Sequence, residues 1–164
     1  MSPNLFDPEF DAGESDPGFT YRRARLGRQA GAERLGASLY EVEPGEATFP
    51  YHAHSANEEM LIVVTGRPSL RTPEGWRELD EGDVVAFPLG ERGAHQVANR
   101  SDRIVRILVV SEMNSPEVSI YPDSDKFAAA TRAPGAAGEG GMWFFRRQDA
   151  VEYLEGESRP ADES

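Results

Sequence analysis

The expected fold rests on two stretches of the chain, GEATFPYHAHSANEEMLIVVTG at residues 45–66 and GDVVAFPLGERGAHQVAN at residues 82–99. Each contains short runs of β-branched and aromatic residues bounded by glycine or proline, which is typical of strands joined by tight turns. The two stretches also hold every histidine of the chain, namely His52, His54 and His95. We therefore expect both the fold and the chemistry of the protein to be centred here.

The histidines and a neighbouring acid have the spacing of metal ligands. His52 and His54 are two residues apart in a predicted strand, so their side chains point to the same face. Glu59 follows five residues later, with Glu58 beside it, and imidazole and carboxylate together suit Fe, Mn, Ni, Co or Zn. A closed barrel would bring His95 to the same point from a distant strand. An isolated His-x-His pair is more often an ordinary polar pair on a solvated strand, so the surrounding sequence has to decide.

Short predicted strands extend outward on both sides of the two stretches. Their spacing is close to ten residues, and no segment of useful length between residues 35 and 121 has a helical period. Such a series is typical of an all-β sandwich or barrel. The predicted strands span residues 36–42, 51–54, 59–64, 69–71, 77–79, 84–88, 95–99, 104–111 and 118–121.

The length of 164 residues suits one domain. Residues 131–141 are rich in glycine and alanine and are predicted to form a mobile loop. The N-terminal residues carry three apolar anchors, Leu5, Phe6 and Phe10. We expect three parts in chain order: an extended N-terminal arm (1–32), a β-barrel (33–121), and a C-terminal loop and short helix that pack on the barrel (122–164).

Composition excludes several classes of function. The net charge of −12, from 17 basic and 29 acidic residues, would repel a phosphate backbone, so we expect no nucleic-acid partner. No apolar run approaches the ~18 residues of a membrane span, and no signal peptide is recognisable. Cysteine is absent, which excludes disulfides and thiol chemistry. These features predict a protein of the cytoplasm with no membrane partner.

The glycines around the ligand candidates complete a resemblance to the cupin superfamily. Fifteen residues separate the two matching segments, a short gap similar to that of small microbial cupins. Each segment is longer than the usual cupin motif only in the turn before the strand that carries the ligand. The first segment is longer there by one residue, and the second by two. The segments are Gly45-(x6)-His52-x-His54-(x4)-Glu59-(x6)-Gly66 and Gly82-(x5)-Pro88-x-Gly90-(x4)-His95-(x3)-Asn99.

This resemblance implies a double-stranded β-helix, the jelly-roll barrel of cupins, with a divalent metal ion such as Fe, Mn, Ni or Zn. Carried over residue by residue, it implies three histidine ligands and one glutamate: His52, His54, Glu59 and His95. Glu58 is the alternative carboxylate, because the motif tolerates three or four intervening residues. Four protein ligands leave about two positions of an octahedral ion open for a substrate.

Beyond the motifs, the chain is similar to small cupins labelled as sugar-phosphate or mannose-6-phosphate-like isomerases. We therefore expect a metal-dependent isomerase or epimerase of a small polar metabolite, with Glu58 and Tyr51 as candidates for proton transfer. A phosphate group would need arginines such as Arg67, Arg71, Arg92 or Arg106. Two alternatives use the same ligands: an Fe(II) dioxygenase, and a non-catalytic module that binds a metal or small molecule.

A homodimer is the expected assembly. An unpaired sheet edge favours association with a second copy, and the apolar anchors give the N-terminal arm a surface to bury.

Overall fold

The computed structural model describes residues 2–132 and 140–158, and within them the chain folds almost entirely into strands. The one short α-helix is α1 (Leu26–Gln29), and no helix of the described part is long and apolar enough to cross a membrane. Single 3-10 turns occur at Glu91–Gly93, Pro122–Ser124 and Arg147–Asp149. The strands are β1 (Ala12–Asp16), β2 (Phe19–Ala24), β3 (Leu35–Val42), β4 (Ala53–His54), β5 (Glu59–Thr65), β6 (Ser69–Thr72), β7 (Gly75–Glu78), β8 (Val84–Phe87), β9 (Gln96–Ala98), β10 (Val105–Glu112), β11 (Glu117–Tyr121), β12 (Lys126–Ala130) and β13 (Met142–Arg146).

These strands form three antiparallel sheets that close into a jelly roll. The largest has the order β1-β2-β3-β10-β5-β8, and the two smaller ones have the orders β13-β12-β11-β4 and β7-β6-β9. The smaller sheets are linked by a backbone bridge in which His52 and His95 exchange N–H···O bonds of 3.1 and 2.8 Å. The all-β jelly-roll architecture predicted from the strand series is therefore confirmed.

The core lies between the large sheet and the two smaller ones. Strand alternation sends every second side chain inward, so Tyr40 and Val42 of β3 lie on the same inner face of the large sheet as Leu61 of β5. Burial of this apolar surface is the main stabilising term of the fold. The buried cluster comprises Tyr40, Val42, Leu61, Val63, Leu70, Leu79, Phe87, Val97, Val105 and Ile107.

The N-terminal residues differ from the predicted extended arm. They form a hairpin of β1 and β2 that joins the large sheet through β2–β3 pairing. The two strands are connected by Pro17-Gly18, where Gly18 has a φ of +89° that suits glycine in a tight turn. Leu5 and Phe10 pack on a second apolar cluster as expected, whereas the anchor Phe6 is 79% exposed.

The C-terminal residues also form strands where a loop and a short helix were predicted. Strands β11, β12 and β13 make an antiparallel meander. In β12 the alanines at 128–130 pair with both neighbouring strands, so sheet pairing overrides the helical preference of alanine. In place of the short helix, the described residues of this part have single 3-10 turns at Pro122–Ser124 and Arg147–Asp149. Of the loop predicted over 131–141, residues 133–139 lie outside the described part.

An ion-pair network fastens the N-terminal hairpin to the barrel. Glu41 of β3 is only 3% exposed and accepts hydrogen bonds from Arg22 of β2 and Arg106 of β10. Burial opposes ionisation of Glu41, but the bonds and charges of the two guanidinium groups outweigh it and hold the pKa of this carboxyl below its usual 4.5. Three strands of the large sheet are thus linked through one carboxylate.

Replacing this carboxylate should weaken the fold in a pH-dependent way. Glu41→Gln keeps the side chain's shape but removes its charge, so the free energy of unfolding at pH 7 should fall by about 1–3 kcal/mol. Because the pKa of Glu41 is lowered by folding, its contribution is complete above pH 4.5 and is lost as the pH falls through the folded-state pKa.

Urea denaturation at pH 7 and about pH 3 measures the free energy of unfolding of the wild type and of Glu41→Gln. The difference between the two proteins should be smaller at the lower pH. Glu43→Gln is the matched control, because Glu43 is exposed on the same segment and its loss should change stability by less than about 0.5 kcal/mol. An equal loss of stability for Glu41→Gln at both pH values would contradict the ionic role of this residue.

Candidate metal centre

The predicted histidine ligands converge inside the barrel because of strand alternation and the bridge between the small sheets. His54 ends β4 and His52 lies two residues before it, so both rings point to the interior. The backbone bridge between His52 and His95 sets their rings side by side, with centroids 4.6 Å apart. Two segments that are distant in sequence thereby present three imidazoles to one point.

Glu59, the first residue of β5, completes the group. The ligand atoms of His52, His54 and Glu59 lie within 4.8 Å of one another. The Oε2 atom of Glu59 lies 3.5 Å from Nε2 of His54 and 3.3 Å from Nε2 of His95. The structure therefore brings together all four predicted ligands, which we call the His/Glu cluster: His52, His54, Glu59 and His95.

Backbone carbonyl groups orient two of the imidazoles. Nδ1 of His52 lies 2.9 Å from the carbonyl oxygen of Pro50, and Nδ1 of His95 lies 3.0 Å from that of Gly93. A carbonyl can only accept, so each Nδ1 carries the proton and each Nε2 has its lone pair directed into the cluster. Burial, together with the other histidines, lowers the pKa of His52 to about 3, which keeps this ring neutral.

The third imidazole faces a buried acid that was not predicted from the sequence. Glu117 of β11 is 1% exposed, and its Oε1 lies 3.5 Å from Nδ1 of His54. Ser55 N–H donates to the same carboxylate at 2.9 Å, and the side chain of Asn57 donates to its other oxygen. A carboxylate behind a histidine fixes the ring orientation and increases its basicity. Although burial opposes it, the pKa of His54 is raised by Glu117 and Glu59.

No local sequence signal identifies Glu117. Polar residues at every second position of a strand predict a solvated face, whereas in β11 Glu117 and Ser119 are buried and Val118 is 39% exposed. The burial of Glu117 depends on its contacts with residues distant in sequence.

The structure does not bring Glu58 or Tyr51 to the cluster. Glu58 precedes Glu59, so its side chain points to the opposite face and is exposed; this corrects its placement as an alternative ligand or proton-transfer group. Tyr51 alternates with His52 in the same way, and its ring packs under the guanidinium of Arg71, 4.0 Å away, on the outside of the barrel. The carboxylate at the cluster is that of Glu59.

A cavity of about 560 Å³ opens from the His/Glu cluster through the barrel. Its middle is lined by apolar core side chains such as Leu61, Phe87 and Ile107. Tyr121 lines the cluster end, with its ring stacked on that of His52 at 6.1 Å. Burial raises the pKa of Tyr121, and raises that of Tyr40 to about 12. Both phenols are therefore protonated donors at neutral pH.

The arginines predicted to meet a phosphate lie elsewhere. Arg67 pairs with acids of β7 and the following turn, Arg71 pairs with Asp123, and Arg106 pairs with Glu41. Arg92 lines a separate depression on the surface. The arginines that line the cavity come instead from the N-terminal hairpin and α1: Arg23, Arg25 and Arg28.

The residues present fit a divalent metal ion. Three imidazoles and one carboxylate converge within a largely buried space, and at least two of the rings direct a lone pair inward. This mixed nitrogen and oxygen donor set suits first-row transition metals.

Comparisons with known proteins agree with this geometry. Residues 38–111 match the family described as Cupin domain. No curated protein matches the chain.

Three solved structures are similar to the chain. A sugar phosphate isomerase of the cupin superfamily from Silicibacter pomeroyi has a TM-score of 0.76 and 27% identity, covering 94% of this chain and 98% of its own. A candidate sugar phosphate isomerase from Acidithiobacillus ferrooxidans has a TM-score of 0.71 and 26% identity, covering 84% and 83%. A Cupin 2 conserved barrel domain protein from Salinispora arenicola has a TM-score of 0.51 and 26% identity, covering 68% and 86%.

The matched segment contains the whole His/Glu cluster, and the jelly roll around it is shared with the solved structures. Residues 38–111 therefore form a cupin domain.

Proposed function

We propose that this cupin is a metal-dependent isomerase or epimerase of a small polar metabolite of the sugar-phosphate class. The observation that carries the proposal is the convergence of three imidazoles and Glu59 at one end of an enclosed cavity. Two similar structures that span most of this chain are named as sugar phosphate isomerases, which supports the reaction class.

The ion would be held by His52, His54, Glu59 and His95, with Fe, Mn, Ni and Zn as the candidates. When bound, it would supply a Lewis acid for a carbonyl or hydroxyl oxygen of the substrate. Glu117 would keep His54 in its binding orientation. The apolar wall of the cavity would exclude water from the reacting end.

Tyr121 is the residue to which we assign proton transfer. Its ring stacks on His52 at the cluster end of the cavity, and its raised pKa keeps the phenol protonated. A positioned phenol can give a proton to a developing alkoxide and recover it from the neighbouring carbon or oxygen. Tyr121 takes this role in place of Glu58 and Tyr51, which face away from the cavity.

Metal content tests the ligand assignment. Glu59→Gln and His54→Ala should each remove most of the bound metal, since each takes one of four donors. Glu58→Gln is the matched control and should leave metal content unchanged, because Glu58 points out of the barrel. Plasma mass spectrometry on chelator-stripped protein reloaded with Mn²⁺, Fe²⁺, Ni²⁺ or Zn²⁺ measures this. Metal loss in Glu58→Gln with full occupancy in Glu59→Gln would reverse the assignment.

Turnover tests the function itself. We expect the metal-loaded protein to exchange the C2 proton of an aldose phosphate, or a C1 proton of a ketose phosphate, for deuterium in D2O, which NMR measures. Tyr121→Phe should lower kcat by about 10²- to 10⁴-fold without loss of metal, whereas Tyr153→Phe, at a position 93% exposed, should have no effect. Oxygen uptake with Fe(II) would indicate the dioxygenase alternative. Metal binding without turnover across the panel would indicate the non-catalytic one.

A homodimer is the assembly we propose. Strand β13 lies at the edge of its sheet and carries four exposed apolar side chains, two on each face of the strand. An unpaired apolar edge of this kind favours association with a second copy. The four residues are Met142, Trp143, Phe144 and Phe145, which are 44–57% exposed. The cytoplasmic location expected from the sequence stays a prediction.

Light scattering should give a mass twice the 18.0 kDa of one chain. Trp143→Glu should shift this mass toward the single chain, because it places a charge on the apolar edge strand β13. Trp76→Glu, on β7 and 40% exposed, is the control and should remain dimeric. A single-chain mass for the wild-type protein at micromolar concentration would overturn the dimer.

A further inference from the structure

Arg23 of β2 is a half-buried cation on the wall of the cavity. Its Nε and Nη2 atoms donate to the hydroxyl of Ser38 at 3.1 and 2.9 Å. Its guanidinium carbon lies 5.3 Å from the centre of the Tyr40 ring. Both neighbours are neutral, so they position the guanidinium without balancing its charge. Three of its five N–H groups stay available for a further acceptor.

No carboxylate of the described residues lies within 4.0 Å of this guanidinium, in contrast to the arginines on either side. Arg22 pairs with Glu41 and Arg25 pairs with Asp11. A partly buried charge without a counter-charge is unfavourable. The position of Arg23 therefore calls for an anion from outside the chain.

Arg28 of α1 is a second cation that lines the same cavity. It is exposed, and its side chain makes no hydrogen bond or ion pair with any other residue in the described ranges. Besides Glu59 of the His/Glu cluster, two acids line the cavity, Glu33 and Glu112. Neither forms an ion pair with these arginines, and Glu112 accepts the backbone N–H of Glu58 at 3.1 Å. Acidic residues outnumber basic ones in this chain, which has a net charge of −12. Composition therefore does not explain two arginines without acidic partners on one cavity.

We propose that Arg23 and Arg28 form an anion subsite that binds the phosphate group of the substrate, while its other end reaches the His/Glu cluster. The fork of a guanidinium matches phosphate oxygens, and each such charge-assisted bond is stronger than a neutral one. The inference rests on the proposed function for the reacting end, but the subsite itself is defined by the arginines alone.

Phosphate binding to metal-free protein tests the subsite separately from catalysis. The full chain is stripped with chelator and titrated by calorimetry at low salt with inorganic phosphate, and with acetate for comparison. We expect Arg23→Gln to weaken phosphate binding by about 10- to 100-fold. Arg77→Gln is the matched control because Arg77 is exposed on β7 and does not line the cavity, and its affinity should match the wild type.

Two further variants protect the test against misfolding. Arg23→Lys keeps the charge and should retain part of the affinity, although the fork geometry is lost. Arg28→Gln changes an exposed side chain that makes no hydrogen bond or ion pair with the described residues, so it should fold normally and weaken phosphate binding by about two- to fivefold. Thermal melts confirm that each variant is folded. The subsite is overturned if the wild type binds no phosphate, if acetate binds equally well, or if Arg77→Gln loses as much affinity as Arg23→Gln.

Turnover by the metal-loaded protein separates this inference from the proposed function. Arg23→Gln should raise KM for the sugar phosphate about 10- to 100-fold with kcat nearly unchanged. Phosphate binding through Arg23 with no turnover of any sugar phosphate would leave the anion subsite standing and contradict the isomerase. Turnover with the same KM in Arg23→Gln would leave the isomerase standing and contradict the subsite.

Discussion

The backbone bridge between His52 and His95 is the contact on which the rest of the molecule depends. It joins the two smaller sheets into the layer that faces the large sheet, and so closes the barrel. The same two residues supply two of the four side chains of the His/Glu cluster. One pair of residues thus closes the barrel and also supplies ligands. The separation of the two imidazoles is therefore set by backbone hydrogen bonds and not by flexible side chains alone.

Strand alternation decides which neighbours of the cluster can take part in its chemistry. Glu59 faces the cluster and Glu58 faces solvent because a strand reverses its side chains at every residue. The same rule places Tyr51 outside the barrel under Arg71, while Tyr121 enters from β11. On a strand, the residue next to a metal ligand therefore points away from the metal site. The residue two positions from a ligand shares its face and is the better candidate for catalysis.

Much of the barrel could be predicted from the sequence, because turn glycines and short apolar runs are local signals. The cluster residues are expected from the resemblance to cupins, which leaves Glu58 open as an alternative to Glu59. The predictions failed where pairing with a distant strand decides the structure. The hairpin at residues 12–24 is polar, and only its pairing with β3 makes it part of a sheet. The alanines of β12 have no local preference for strands. Glu117 acts through His54, 63 residues earlier in the chain, so no spacing rule could relate the two.

The docking of the N-terminal hairpin has a thermodynamic consequence. The hairpin is attached to the large sheet along one edge, through β2–β3 pairing and the carboxylate of Glu41, and it contributes Arg23 to the cavity wall. A molecule that contacts Arg23 binds only the conformation in which the hairpin is docked. By mass action such a molecule would favour docking, by about 2.7 kcal/mol at a concentration one hundred times its dissociation constant. Occupancy of the cavity and protection of residues 12–24 from hydrogen exchange or proteolysis therefore report on the same docking equilibrium.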